Sequence, residues 1–95
     1  MSKKRQRVLN PENVVRAIHL LKRLIHIDQN LGPREVALNR LAVTNKLQSQ
    51  HIHPLEVERA FNMLVRDKII IPIGKKRVLF MLTEYGHETI FKEQQ

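Results

Sequence analysis

The chain has no cysteine, so neither a disulfide nor a thiolate-held metal is open to it. That absence is compatible with an intracellular, cytoplasmic protein. Aromatic side chains are scarce, with no tryptophan, one tyrosine and three phenylalanines. Little is therefore left on which unpaired bases could stack, and RNA is a less favoured partner than duplex DNA. No apolar run approaches the roughly 18 residues that cross a bilayer, and no hydrophobic segment follows the basic N-terminus as a secretory signal requires. Internal repeats and low-complexity segments are also missing. So are a P-loop, a dinucleotide fingerprint and a Ser/His/Asp arrangement, and no enzymatic activity, cofactor or small-molecule ligand is expected. His51-x-His53 has no third ligand at a metal-binding spacing, so no metal is expected either.

Carboxylates are the other scarce group. Nine Asp and Glu face 17 Lys and Arg, a formal net charge of +8. That balance favours a polyanionic partner: DNA, RNA or an anionic membrane. Ninety-five residues suffice for one domain, which buries roughly 60–65% of its unfolded surface.

Residues 1–9 carry Lys3, Lys4, Arg5 and Arg7. They read as a flexible basic arm, either a solubilising tail or a segment that touches phosphates or a minor groove. Residues 10–95 are expected to form the domain. Asn10-Pro11-Glu12 is a helix start, with a capping side chain, a proline at the first position and an acid near the positive dipole end. The helix should run to about Asn30. Val14, Ile18, Leu21 and Ile25 form its apolar stripe, widened by Ala17, Leu20, Leu24, Ile27 and Leu31. So broad an arc buries either under the hairpin and last helix or against a second copy. Gly32-Pro33 ends this helix, and a second is expected from Arg34 to about Leu47.

The most informative stretch is 54–82. Val57, Ala60, Phe61 and Leu64 recur at i, i+3, i+4 and i+7, one face of a helix over 54–67. Leu55, Arg59, Asn62, Met63 and Arg66 take the opposite side, and Glu56 and Glu58 flank that outward stripe. Glu56 is within i,i+3 reach of Arg59; a glutamate can also accept from cytosine. Ile69–Ile73 and Val78–Leu82 then read as two strands joined by Gly74-Lys75-Lys76-Arg77. Apolar at nearly every position, they offer both faces for burial. Pro72 marks the first as an edge strand. Thr83 caps a final helix anchored by Tyr85, Ile90 and Phe91.

This order, three helices, a two-stranded wing and a C-terminal helix, resembles winged helix-turn-helix domains. Pro54-x-x-Val57-x-x-x-Phe61-x-x-Leu64 is similar to the recognition helix of small regulators of the MarR, ArsR and PadR type. Asp67-Lys68-Ile69-Ile70 looks like the turn after that helix, with Lys where Gly is usual. Leu82-Thr83-Glu84-Tyr85-Gly86 resembles the entry to the helix after the wing. Leu41-Ala42 lies further ahead of Val57 than the superfamily's spacing, so the second helix or its turn is longer.

The resemblance implies a mainly α protein with a small β-hairpin. It implies a sequence-specific regulator of transcription that binds double-stranded DNA, expected to be a homodimer. Helix 54–67 would enter the major groove, with His53 and Leu55 at its start. Arg59 would face guanine, Asn62 adenine, and Arg66 a phosphate. Lys75, Lys76 and Arg77 would meet phosphates or a minor groove. The alternative is a protein-interaction module, or a subunit of a larger assembly that could contain RNA.

Overall fold

The Asn10 side chain accepts from the Glu12 amide at 2.9 Å and Pro11 takes the first helical position, so α1 (Pro11–Arg23) begins where its capping chemistry directs. The computed structural model describes residues 9–93. Helix α1 runs on into a wider turn, Leu24–Asp28, in which the Gln29 amide donates to the Leu24 carbonyl at 2.8 Å, an i→i+5 bond. Asn30, in the left-handed region at φ 49°, then stops the helix.

The next segment departs from expectation. Val36–Asn39 form a strand, β1, and α2 starts only at Arg40 (Arg40–Gln48). The Asn39 side chain accepts from the amides of Leu41 (3.0 Å) and Ala42 (3.2 Å), so it is the cap that sets the helix start. Ahead of it, Val36 and Leu38 find partners in Met81 and Phe80, far along the chain. Leu41 is 57% exposed, and Val43 and Leu47 are what α2 buries.

Helix α3 spans Pro54–Arg66 and buries Val57, Ala60, Phe61 and Leu64, as their spacing requires. It closes with a Schellman pattern: Lys68 donates to the Val65 carbonyl at 3.0 Å and Ile69 to that of Leu64 at 2.9 Å. Lys68 sits at φ 64°, a conformation that glycine adopts more cheaply. The hairpin follows as β2 (Ile70–Ile73) and β3 (Leu79–Leu82), with Gly74 at φ 82° in its turn. The sheet is antiparallel, order β1-β3-β2, so it has three strands, one more than the two-stranded hairpin expected. β2 lies at the edge, where Pro72 costs no ladder bond. Thr83 Oγ1 accepts from the Gly86 amide at 2.8 Å and starts α4 (Glu84–Glu93). A Cβ on Gly86 would overlap the Ile69 carbonyl, so this glycine lets α4 approach the chain before β2.

The described residues thus form a mixed α+β fold of four α-helices and one sheet. The apolar arc of the first helix is covered mainly by its own chain. Val14, Ala17, Leu21, Leu24 and Ile25 are buried, while Val15 and Ile27 stay about half exposed. Phe61 and Phe80 meet with ring centroids 4.8 Å apart, joining α3 to the inner face of the sheet. That face buries Leu38, Ile70, Phe80 and Leu82. The outer face does not bury: Val36, Ile71, Ile73 and Leu79 are exposed. The strands alternate in burial despite their uniformly apolar sequence. Of the three expected α4 anchors, Ile90 is buried; Tyr85 is 60% exposed, and Phe91 lies edge-on against His26 at 5.9 Å but is also exposed. No helix among the described residues is long and apolar enough to cross a membrane.

Candidate nucleic-acid interface

The outward face of α3 is set by how the helix begins. His53 Nδ1 accepts from the Leu55 amide at 3.0 Å, and Glu56 Oε1 accepts from the His53 amide at 2.9 Å. This is a reciprocal capping box with histidine in place of the usual hydroxyl residue. It gives His53 a structural duty at the helix start. Glu56 also accepts from the Asn10 amide (2.9 Å) and from Asn13 Nδ2 (3.1 Å), so one buried carboxylate ties the start of α1 to the start of α3. Glu56 is fully buried, which corrects the expectation that it flanks the outward stripe. The cap and the two partners from α1 draw it inward.

Leu55, Glu58, Arg59, Asn62 and Arg66 are exposed along the helix, and Met63 is half-buried. Two adjoining depressions cover this face. The first, open and about 380 Å³, is lined by Leu9, Leu55, Glu58, Arg59 and Asn62. The second, about 120 Å³, is lined by Glu58, Asn62, Phe61 and Phe80, with Arg40, Lys76 and Arg77. Asn62 and the hairpin tip therefore share one cleft, and Arg59 reaches it through the neighbouring one. Lys75 is exposed beside them in the turn. Glu58 borders both depressions, so it stands in the middle of the face, not beside it. This corrects the expected placement. Positions 55, 58 and 62 are spaced by three and four, which stacks them along a single stripe.

Arg40 joins the cluster without having been singled out in the sequence. Its amide donates to the Val78 carbonyl at 2.7 Å and its Nε to the Arg77 carbonyl at 3.2 Å, so the first residue of α2 holds the hairpin turn. The signal was Asn39 as a helix cap, but the contact depends on a strand pairing that local pattern does not reveal. Leu9, assigned to the arm, lines the α3 face. Lys3, Lys4 and Arg5 lie outside the described residues. Arg66 pairs with Asp67 at 3.2 Å.

Ion pairs separate the cations. Lys22, Arg34, Lys46 and Lys92 each face a carboxylate away from this site. Arg59, Lys75, Lys76 and Arg77 have no carboxylate partner among the described residues. Arg16, Arg23 and Lys68 are also without a carboxylate partner among the described residues but stand apart from one another, whereas this face gathers its unpaired cations around Glu58, which has no ion pair or hydrogen bond there either. Among the described residues no three His, Asp or Glu side chains gather as a metal site would need. A further cleft of about 240 Å³ lies between α1 and α2, floored by Leu20, Leu21, Leu24, Val43 and Leu47; it shares no residue with the α3 face. No family model, curated protein or solved structure matches the chain.

Proposed function

We propose that the chain is a winged helix-turn-helix regulator of transcription that binds double-stranded DNA sequence-specifically. Helix α3 enters the major groove and the 74–77 turn contacts phosphates or the adjacent minor groove. The observation that carries this reading is the continuity of the two parts. Asn62, Lys76 and Arg77 line one cleft, Arg59 lies one helical step away, and no carboxylate among the described residues pairs with these cations. The open depression over Leu55, Glu58, Arg59 and Asn62 suits a groove-sized partner better than an enclosed small molecule. Arg59 has the donor fork for guanine and Asn62 the donor–acceptor pair for adenine. His53 and Leu55 stand at the helix start, where Leu55, 44% exposed, offers apolar contact to a thymine methyl. The test is selection from random duplex DNA followed by footprinting. We expect one enriched sequence and binding that falls steeply with salt. Recovery of no preferred duplex contradicts the reading.

Homodimerisation belongs to the same proposal. It would set two α3 helices about one helical turn apart on DNA. The first helix is largely covered, and the outer sheet face, with Val36, Ile71, Ile73 and Leu79 exposed, is an apolar surface left for a second copy. Sedimentation equilibrium at micromolar concentration should give twice the monomer mass of 11.2 kDa. That same apolar sheet face favours a second reading, an interaction module docking on another protein. Binding indifferent to salt and heparin would select it over the first.

A further inference from the structure

We propose that Glu58 is a base-reading group that selects cytosine in the major groove, an inference that rests on the DNA-binding reading and deepens it. Glu58 borders both depressions of the α3 face. It is exposed and has neither an ion pair nor a hydrogen bond among the described residues, although Arg40, Arg59, Lys76 and Arg77 border the same clefts. Its neighbour Glu56 is buried and fully engaged in tying α1 to α3, so only Glu58 presents an acceptor from the middle of the helix.

A carboxylate accepts hydrogen bonds and donates none. Facing phosphate it is repelled. In the major groove guanine offers the acceptors N7 and O6, and thymine offers O4 and a methyl group. Neither satisfies Glu58. The donors there are cytosine N4 and adenine N6. Adenine sets its N7 acceptor beside that donor, against the second carboxylate oxygen, whereas cytosine has no such acceptor on this edge. Cytosine is therefore preferred and adenine ranks second. Arg59, the next residue, is donor-only and suits guanine O6 and N7. The pair thus carries opposite requirements side by side, met by one G·C pair or by two adjoining pairs.

A merely solvated Glu58 and a base-reading one differ in sign. Removing a solvated negative charge tightens binding to all duplexes alike. Removing a base reader tightens binding to random duplex but erodes preference at one position. The experiment selects sites with wild-type protein and with Glu58→Gln, then measures both on the cognate duplex and its single-base variants by fluorescence anisotropy at fixed salt. We expect wild-type protein to require cytosine at one position. Glu58→Gln should lose about 5- to 150-fold of that discrimination, the equivalent of one base contact of about 1–3 kcal/mol, and should bind random duplex more tightly. Equal tightening on every duplex, with the preferred sequence unchanged, overturns the assignment while leaving DNA binding intact. A wild-type protein that enriches no duplex overturns the DNA reading and this proposal with it.

Discussion

Two regions of this molecule treat the same kind of charge differently. Around the end of the first helix, α2 and α4, cations sit opposite carboxylates: Lys22 on Glu93 at 2.9 Å, Lys46 on Asp28 at 3.7 Å, Lys92 on Glu88 at 3.9 Å, with Arg34 on Glu84 at 2.8 Å beside them. Around α3 and the hairpin tip, Arg59, Lys75, Lys76 and Arg77 have no such partner among the described residues. The formal charge per side chain is identical. What differs is whether the fold already neutralises it. The pairs exposed on both sides, those of Arg34, Lys46 and Lys92, contribute little to stability, typically about 0–1 kcal/mol. Cations of the second kind remain available to displace counterions from a polyanion. Part of the net charge of +8 is thus gathered on one face, where four unpaired cations sit together around the two α3 clefts.

Substitutions can break this comparison or sharpen it. The largest effect should come from Glu56→Ala, which leaves the amides of Asn10 and His53 and the Asn13 side chain without their buried acceptor. We expect a loss of about 2–4 kcal/mol in thermal or denaturant unfolding, because the joint beneath the α3 face fails. Glu58→Ala, two residues on, should stay within about 0.5 kcal/mol in the same assay. Next is Arg59→Ala, expected to cost about 1–3 kcal/mol on the selected duplex and to relax one base position; Lys22→Ala should leave titrations on that duplex unchanged. In stability, Lys46→Ala should lose less than about 1 kcal/mol, since Lys46 and its partner Asp28 are both about half exposed. The smallest effect is at Lys68, which has no ion pair but borders neither α3 cleft. Lys68→Gly should raise stability by about 0.5 kcal/mol by relieving the left-handed backbone, with no change in DNA affinity. A binding defect there would mean that absence of a carboxylate, without position in the clefts, is enough.

Much of the architecture was legible because it is locally encoded. Asn10-Pro11, Pro54 and Thr83 each open a helix where capping chemistry points, and the spacing of Val57, Ala60, Phe61 and Leu64 fixed which side of α3 is inward. The misread parts depend on distant partners. Val36–Asn39 resemble the start of a helix until Met81 and Phe80 pair with them. Ile71, Ile73 and Leu79 are as apolar as their buried neighbours, so sequence could not say that the outer sheet face stays uncovered. Glu56 looked like a surface acid because its acceptor role needs Asn10 and Asn13, more than forty residues away. The candidate site followed the same rule. Arg59, Asn62 and the tip came from helical angle and turn chemistry; Arg40, which connects α2 to the turn, joins them only once β1 pairs with β3.

The contrast between paired and unpaired cations is tested most directly by two triple variants that give up the same number of charges. One is Lys75→Ala/Lys76→Ala/Arg77→Ala; the other is Lys22→Ala/Lys46→Ala/Lys92→Ala. The measurement is the slope of log K against log salt on the selected duplex. The tip variant should be shallower than wild type by about 3, one for each phosphate no longer neutralised, and the second should keep the wild-type slope. Equal slopes for the two variants would mean that only total charge matters, and would contradict the assignment of this face.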